Sequence, residues 1–216
     1  SGNPFVLQAD PGVTIDGADD FSNAGQWTLV GGNVWLAAGV TWSPFQVFAD
    51  GARLAASAAA PASMPSGTFQ YVAGTGLFVN AGGGNPASHA AAVGHRLYGI
   101  RVSGRAWITV DGFAVTRTED RAIYFSSSSD HAIITHNRAT WAYHAGIQIS
   151  TSTAALIASN VVASCLDHGI YLSGATSSTV QDNESSRNAK PGNAAANGIY
   201  LSAGSTDDLV QRNRLH

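Results

Sequence analysis

Three residues at a nearly constant interval are suited to acid–base chemistry. Asp120, His144 and Asp167 lie 24 and 23 residues apart, with Arg121, Ala145 and His168 directly after them. If consecutive members sit on neighbouring strands about 4.8 Å apart, His144 lies between two carboxylates. An imidazole titrates near neutral pH, and a carboxylate beside it supports its charged form. Such a group can remove a proton, and the charge that develops then calls for a nearby cation. His144 or His168 would be the base, and Arg101, Arg121 or Lys190 the cation. Lys190 is the only lysine and falls in the segment Arg187-Asn188-Ala189-Lys190-Pro191-Gly192. The competing reading is structural, because Asp and His at turns often cap backbone N–H groups.

The elements that must position these residues form a repeat. Its units begin Gly99-Ile100-Arg101-Val102-Ser103, Ala122-Ile123-Tyr124-Phe125-Ser126, Gly146-Ile147-Gln148-Ile149-Ser150, Gly169-Ile170-Tyr171-Leu172-Ser173 and Gly198-Ile199-Tyr200-Leu201-Ser202, at intervals of 23, 24, 23 and 29 residues. Each alternates apolar and variable positions, the period of a half-buried strand. A second apolar position follows at Val110, Ile134, Ile157, Val180 and Val210, and an Asn stands three residues later at 137, 160, 183 and 213. A period in the low twenties with strands and no helical pattern marks a solenoid. The fold class is therefore all-β, a right-handed parallel β-helix, with stacked aliphatic residues inside and an amide ladder at one bend. The residue after each Ile faces outward, which sets Arg101, Tyr124, Gln148, Tyr171 and Tyr200 in one column. Guanidinium, amide and aromatic groups in a row suit a sugar chain, whose rings carry apolar faces and many hydroxyls.

Composition limits the alternatives. The net charge is −3 and no Lys/Arg cluster occurs, which argues against a nucleic-acid partner. No apolar run reaches membrane-spanning length. The one cysteine, Cys165, has no partner for an internal disulfide. Residues 1–17 read as a partial rung. Residues 18–96 break the repeat with several short strands, three tryptophans (Trp27, Trp35, Trp42) and turn signals, an inserted antiparallel β unit. Residues 97–216 carry the repeats.

The segments SGNPFVLQADPGVTIDG, QVFADGARL, GTFQYVAGTGLFVNAGGGNP and YGIRVSGRAWITVDGFAVTR resemble bacterial right-handed parallel β-helix proteins of the pectate-lyase-like superfamily. The resemblance implies a secreted or periplasmic relative of polysaccharide lyases, glycoside hydrolases and uronan epimerases. The epimerases carry an Asp-Pro-His motif, whereas here Asp167 and His168 are adjacent. Relatives have further rungs and a helical cap, so the chain resembles a fragment whose bare strand edges would associate into an oligomer.

Two functions follow. One is a polysaccharide hydrolase or lyase, with Asp120, His144, Asp167 and His168 as catalytic candidates and Arg101, Arg121, Tyr124, Gln148, Tyr171, Lys190 and Tyr200 along the bound glycan. For hydrolysis, the two Asp carboxyls would be roughly 9 to 10 Å apart across two strands, close to the about 6.5 to 9.5 Å of inverting glycosidases. The other is a non-catalytic binding or structural module. No cofactor is expected. A calcium site recruiting Glu119, Asp120 and Asp167 is a weaker alternative, since no Asp-x-Asp-x-Asp run supports it.

Overall fold

A computed structural model describes residues 4–189, 196–202 and 204–216. Two compact units are present: residues 1–17 with 96–216, and residues 18–95.

The first unit is a parallel β-helix of three sheets. One comprises Ile100–Ser103, Ile123–Ser126, Ile147–Ser150, Ile170–Ser173 and Ile199–Leu201, here the site sheet. The second runs from Phe5–Gln8 through Ile108–Asp111, Ile133–Thr135, Leu156–Ala158 and Thr179–Gln181 to Leu209–Gln211. The third runs from Thr14–Asp16 through Ala114–Thr116, Arg138–Thr140, Val161–Ala163 and Glu184–Ser186 to Arg214–Leu215. Parallel register keeps like positions together, so Ile123, Ile147 and Ile170 stack with Phe125, Ile149 and Leu172 inside, facing Ile134, Ile157 and Val180. Burying each such side chain contributes about 1.5 to 3 kcal/mol.

The corners explain the asparagines. His136, Ser159, Asp182 and Arg212 adopt left-handed backbone, with φ of +54°, +57°, +56° and +53°, and each is followed by a ladder Asn. Asn160 Nδ2 donates to the carbonyls of Ile134 (2.8 Å) and Ala158 (3.1 Å) and to Asn183 Oδ1 (3.0 Å). Its Oδ1 accepts the backbone and side-chain N–H groups of Asn137 at 2.9 and 3.1 Å. The amide thus joins three rungs where the sheet ladders are interrupted. Asn188 does related work at another corner, accepting the Cys165 N–H at 3.0 Å.

The small residue that opens each unit matches its neighbour across the core. A Cβ on Gly146 would overlap Val162 Cγ1 and lie 3.0 Å from the Gly169 carbonyl. Where the opening residue is Ala122, the position on the third sheet in the same rung is Ala139 rather than Val, and both are fully buried. Gly146→Ala should therefore cost about 1 to 3 kcal/mol through overpacking, and less in a Val162→Ala background. Urea unfolding of the four proteins of that cycle checks this; equal costs in both backgrounds would contradict it.

The second unit contains two sheets. Thr28–Gly31, Val34–Ala37, Gly76–Asn80 and Thr68–Val72 pair antiparallel in that order, and Ala55–Ala56 adds to the last in parallel. The expected antiparallel insertion thus carries one parallel pair. Ala18–Asp20, Ala92–Gly94, Val47–Ala49 and Ala52–Arg53 form the other sheet, all antiparallel. Trp27 is buried with Phe21, Phe69 and Val79, while Trp35 and Trp42 pack against that cluster. The Gly17 carbonyl accepts the Arg96 N–H at 2.8 Å, so the helix closes across the point where the insertion leaves and returns.

Candidate functional site

The acid–base column is built by the corner that leads into the site sheet. Arg117, Trp141 and Ser164 turn the chain there with φ of +55°, +58° and +59°. Backbone hydrogen bonds then set the register: the His144 N–H donates to the Asp120 carbonyl (2.9 Å) and the Asp167 N–H to the His144 carbonyl (3.2 Å). Asp120, His144 and Asp167 are consecutive in space because the rungs differ in length by only one residue.

Their side chains are not equivalent. His144 Nδ1 lies 3.1 Å from Asp167 Oδ2, with the ring 44% exposed. Nδ1 itself is buried and has no aligned hydrogen bond among the described residues. The exposure of the side chain therefore lies on atoms other than Nδ1. An imidazole with Nδ1 against a carboxylate and other atoms open to solvent has the orientation of a general base, the carboxylate stabilising the imidazolium that forms.

The second expected carboxylate is not on the ring. Asp120 pairs with Arg121 and receives a hydrogen bond from the Tyr98 hydroxyl. Among the described residues, Asp167 is the one carboxylate in ion-pair range of His144. The reason is local: Arg121 directly follows Asp120 in the chain and its guanidinium reaches back to it. Asp120 and Arg121 are thus engaged with each other, so neither side chain stands as an isolated charge. Glu119, the other candidate calcium ligand, is buried, and among the described residues no three His, Cys, Asp or Glu side chains converge on a metal position.

His168 is buried, at 6% exposure. Its Nδ1 accepts the Asn197 N–H at 3.2 Å, which leaves the proton of the neutral ring on Nε2, 3.7 Å from Asp167 Oδ1. Burial lowers its pKa, and His144 adds to this while Asp167 opposes it. His168 is thus a buried, neutral ring beside Asp167, and His144 is the more exposed imidazole of the two. A histidine held neutral when folded gains protons on unfolding, so its effect on stability has a definite sign. Stability should fall as pH drops below about 6.5, and His168→Gln should flatten that slope in urea unfolding at about pH 5 and 7. An unchanged slope would contradict the assignment.

The outward column has the expected register, with Arg101 opposite Tyr124, Tyr124 opposite Gln148, Gln148 opposite Tyr171 and Tyr171 opposite Tyr200. The rings, however, use their faces on one another. Tyr98 and Tyr124 stack at 5.6 Å, His168 and Tyr200 at 4.5 Å, and Tyr171 lies 5.1 Å from Tyr200. Arg121 lies over Tyr124 at 4.7 Å and Arg101 over Tyr98 at 5.1 Å. The aromatic rings of the column are thus engaged with neighbouring rings and with the Arg121 guanidinium. Gln148 is buried, at 4% exposure. Its Oε1 accepts from Arg121 Nε and its Nε2 donates to Ser150 Oγ at 2.8 Å, so its amide serves the sheet. Arg101 is exposed. Lys190 lies outside the described residues.

Tyr98 is the participant the sequence reading missed. It occupies the position of Arg121, Ala145, His168 and Asn197 one rung earlier, so extending that column upward finds it. Burial and the neighbouring Asp120 carboxylate raise its pKa above that of an ordinary tyrosine.

Comparison with known proteins agrees on architecture. A solved structure described as a complex of XylC with xylose superposes with a TM-score of 0.76 at 14% identity, over 98% of this chain and 49% of that one. The chain spans about half the length of that protein, and at this identity the likeness concerns the fold alone. No curated protein matches the chain. The family model for right-handed β-helix regions matches residues 66–216. The chain belongs to the right-handed β-helix family.

Proposed function

We propose that the protein acts on an anionic polysaccharide laid along the site sheet, with His144 as the proton-accepting base of a lyase reaction. The observation that carries this reading is the His144–Asp167 pair, Nδ1 buried at 3.1 Å from the carboxylate and the ring otherwise open. His144 Nε2 would take the proton next to a uronate carboxylate, and Asp167 would stabilise the resulting imidazolium. The electron pair left on carbon then forms a conjugated double bond and expels the departing sugar's oxygen, which takes a proton from the His144 imidazolium or from water. Arg101 would hold a carboxylate further along the chain, and the hydroxyls of Tyr171 and Tyr200 would bond sugar oxygens. The neutralised Asp120 favours proton abstraction over hydrolysis by two carboxylates. A secreted or periplasmic location fits such a substrate, and the xylose bound by the XylC structure is compatible with a saccharide ligand for this architecture.

A second reading has its own support. Asp120, Arg121, Gln148 and Tyr124 satisfy one another, as the outer face of a non-catalytic glycan-binding module would. A polysaccharide screen separates the two. Absorbance at about 232 nm from the unsaturated product of proton abstraction indicates a lyase, and new reducing ends without it a hydrolase. Binding with neither signal favours the module.

A further inference from the structure

In the inserted unit the loop after strand Gly76–Asn80 contains Gly82, Gly83 and Gly84, with φ of +108°, +153° and +68°. Three successive positive φ values need glycine, and glycine loses the most conformational freedom on ordering. Such a loop stays in place only where it is fastened. At its entry the Gly82 N–H donates to Asn80 Oδ1 at 3.1 Å. At its exit Asn85 Oδ1 accepts the Ala87 N–H at 3.0 Å, starting the short turn Pro86–His89.

The middle of the loop is held by His89. Its Nε2 lies 2.5 Å from the Gly83 carbonyl oxygen and its Nδ1 2.7 Å from Asp50 Oδ2. Both partners are acceptors. A neutral imidazole has one N–H and would set a lone pair against one of them, so only the imidazolium satisfies both. The backbone fixes the residue as well, since the Asp50 N–H donates to the His89 carbonyl at 2.6 Å.

We propose that protonated His89 is a pH-operated clasp, fastening the triple-glycine loop to the Asp50 turn and releasing it as pH rises. The hydrogen bonds to Asp50 and then to Gly83 raise the histidine pKa, burial opposes them, and the Asp50 charge adds to the rise. Among the described residues Asp50 is the one charged group acting on the ring. The sign follows from the raised value: the clasp is complete below about pH 6.5, the ordinary histidine value, and is lost as pH rises through the higher folded value.

Relaxation of the glycine Cα carbons, which is independent of amide exchange, tests this on the full chain. Order parameters at Gly82–Gly84 should be near the rigid level of about 0.85 in mild acid and fall below about 0.6 above the titration. In Asp50→Asn that fall should move to lower pH. In His89→Gln the loop should show no pH dependence. A wild-type loop that does not respond to pH, or a His89→Gln loop with the wild-type response, would overturn the proposal. Nitrogen-15 spectra of the wild-type imidazole give a reading that needs no variant. Two protonated nitrogens at His89 at about pH 6.5, where an ordinary imidazole is half neutral, are expected, and a ring half neutral or less at that pH would overturn the clasp.

Discussion

Asn160→Ala is expected to destabilise the β-helix by about 2 to 6 kcal/mol. The side chain is 1% exposed, and its removal takes the side-chain partner from the Ile134 carbonyl and the Asn137 N–H in the interior, while Asn137 Nδ2 keeps the Val110 carbonyl and Asn183 Oδ1 keeps the backbone N–H of residue 160. Each buried group left without a partner costs about 1 to 3 kcal/mol, with some relief from relaxation. Against a total of roughly 5 to 15 kcal/mol for a typical domain, the loss approaches unfolding. Asn213, in the same column, is only partly buried and has no further ladder asparagine to donate to among the described residues, so Asn213→Ala should cost less. Urea midpoints for both variants check the ordering. A cost below about 1 kcal/mol for Asn160→Ala would mean that the ladder adds little beyond the sheets.

His144→Ala is expected to lower turnover of an anionic glycan by about 10²- to 10⁴-fold, the usual effect of removing a positioned general base. Asp167→Asn should cost a comparable factor while leaving the fold intact, since the carboxamide keeps the shape and loses the charge opposite Nδ1. Asp120→Asn discriminates between chemistries. If His144 acts with Asp167, Asp120→Asn should be much milder, because Asp120 is already paired to Arg121. If hydrolysis by paired carboxylates operates, Asp120→Asn and Asp167→Asn should be equally damaging. Initial rates with substrate in excess decide the matter.

Much of the architecture was legible because a solenoid repeats its signals. The Ile column, the Asn column and the alternation within each unit all pointed to the same register, and parallel pairing then stacked like on like. The insertion was legible as a break in the period. Its parallel edge pair was not, because Ala55–Ala56 carries no pattern that distinguishes strand from loop. In the site, spacing placed Asp120, His144 and Asp167 side by side, yet it could not say how the side chains would pair. Arg121 took Asp120 away from His144, and Asn197, supplied by the longest unit, took the free nitrogen of His168. Such choices depend on rotamers and on competing partners, which one-dimensional spacing does not encode.

The central claim is that the ligand lies on the site sheet, at His144. The most direct measurement is an NMR titration of the full chain with an oligouronate, following histidine side chains and tyrosine ring resonances together. Saturable shifts at His144, Tyr171 and Tyr200, with His89 and His95 of the inserted unit unmoved, are the expected result. Shifts confined to the inserted unit, or none at any concentration, would contradict it.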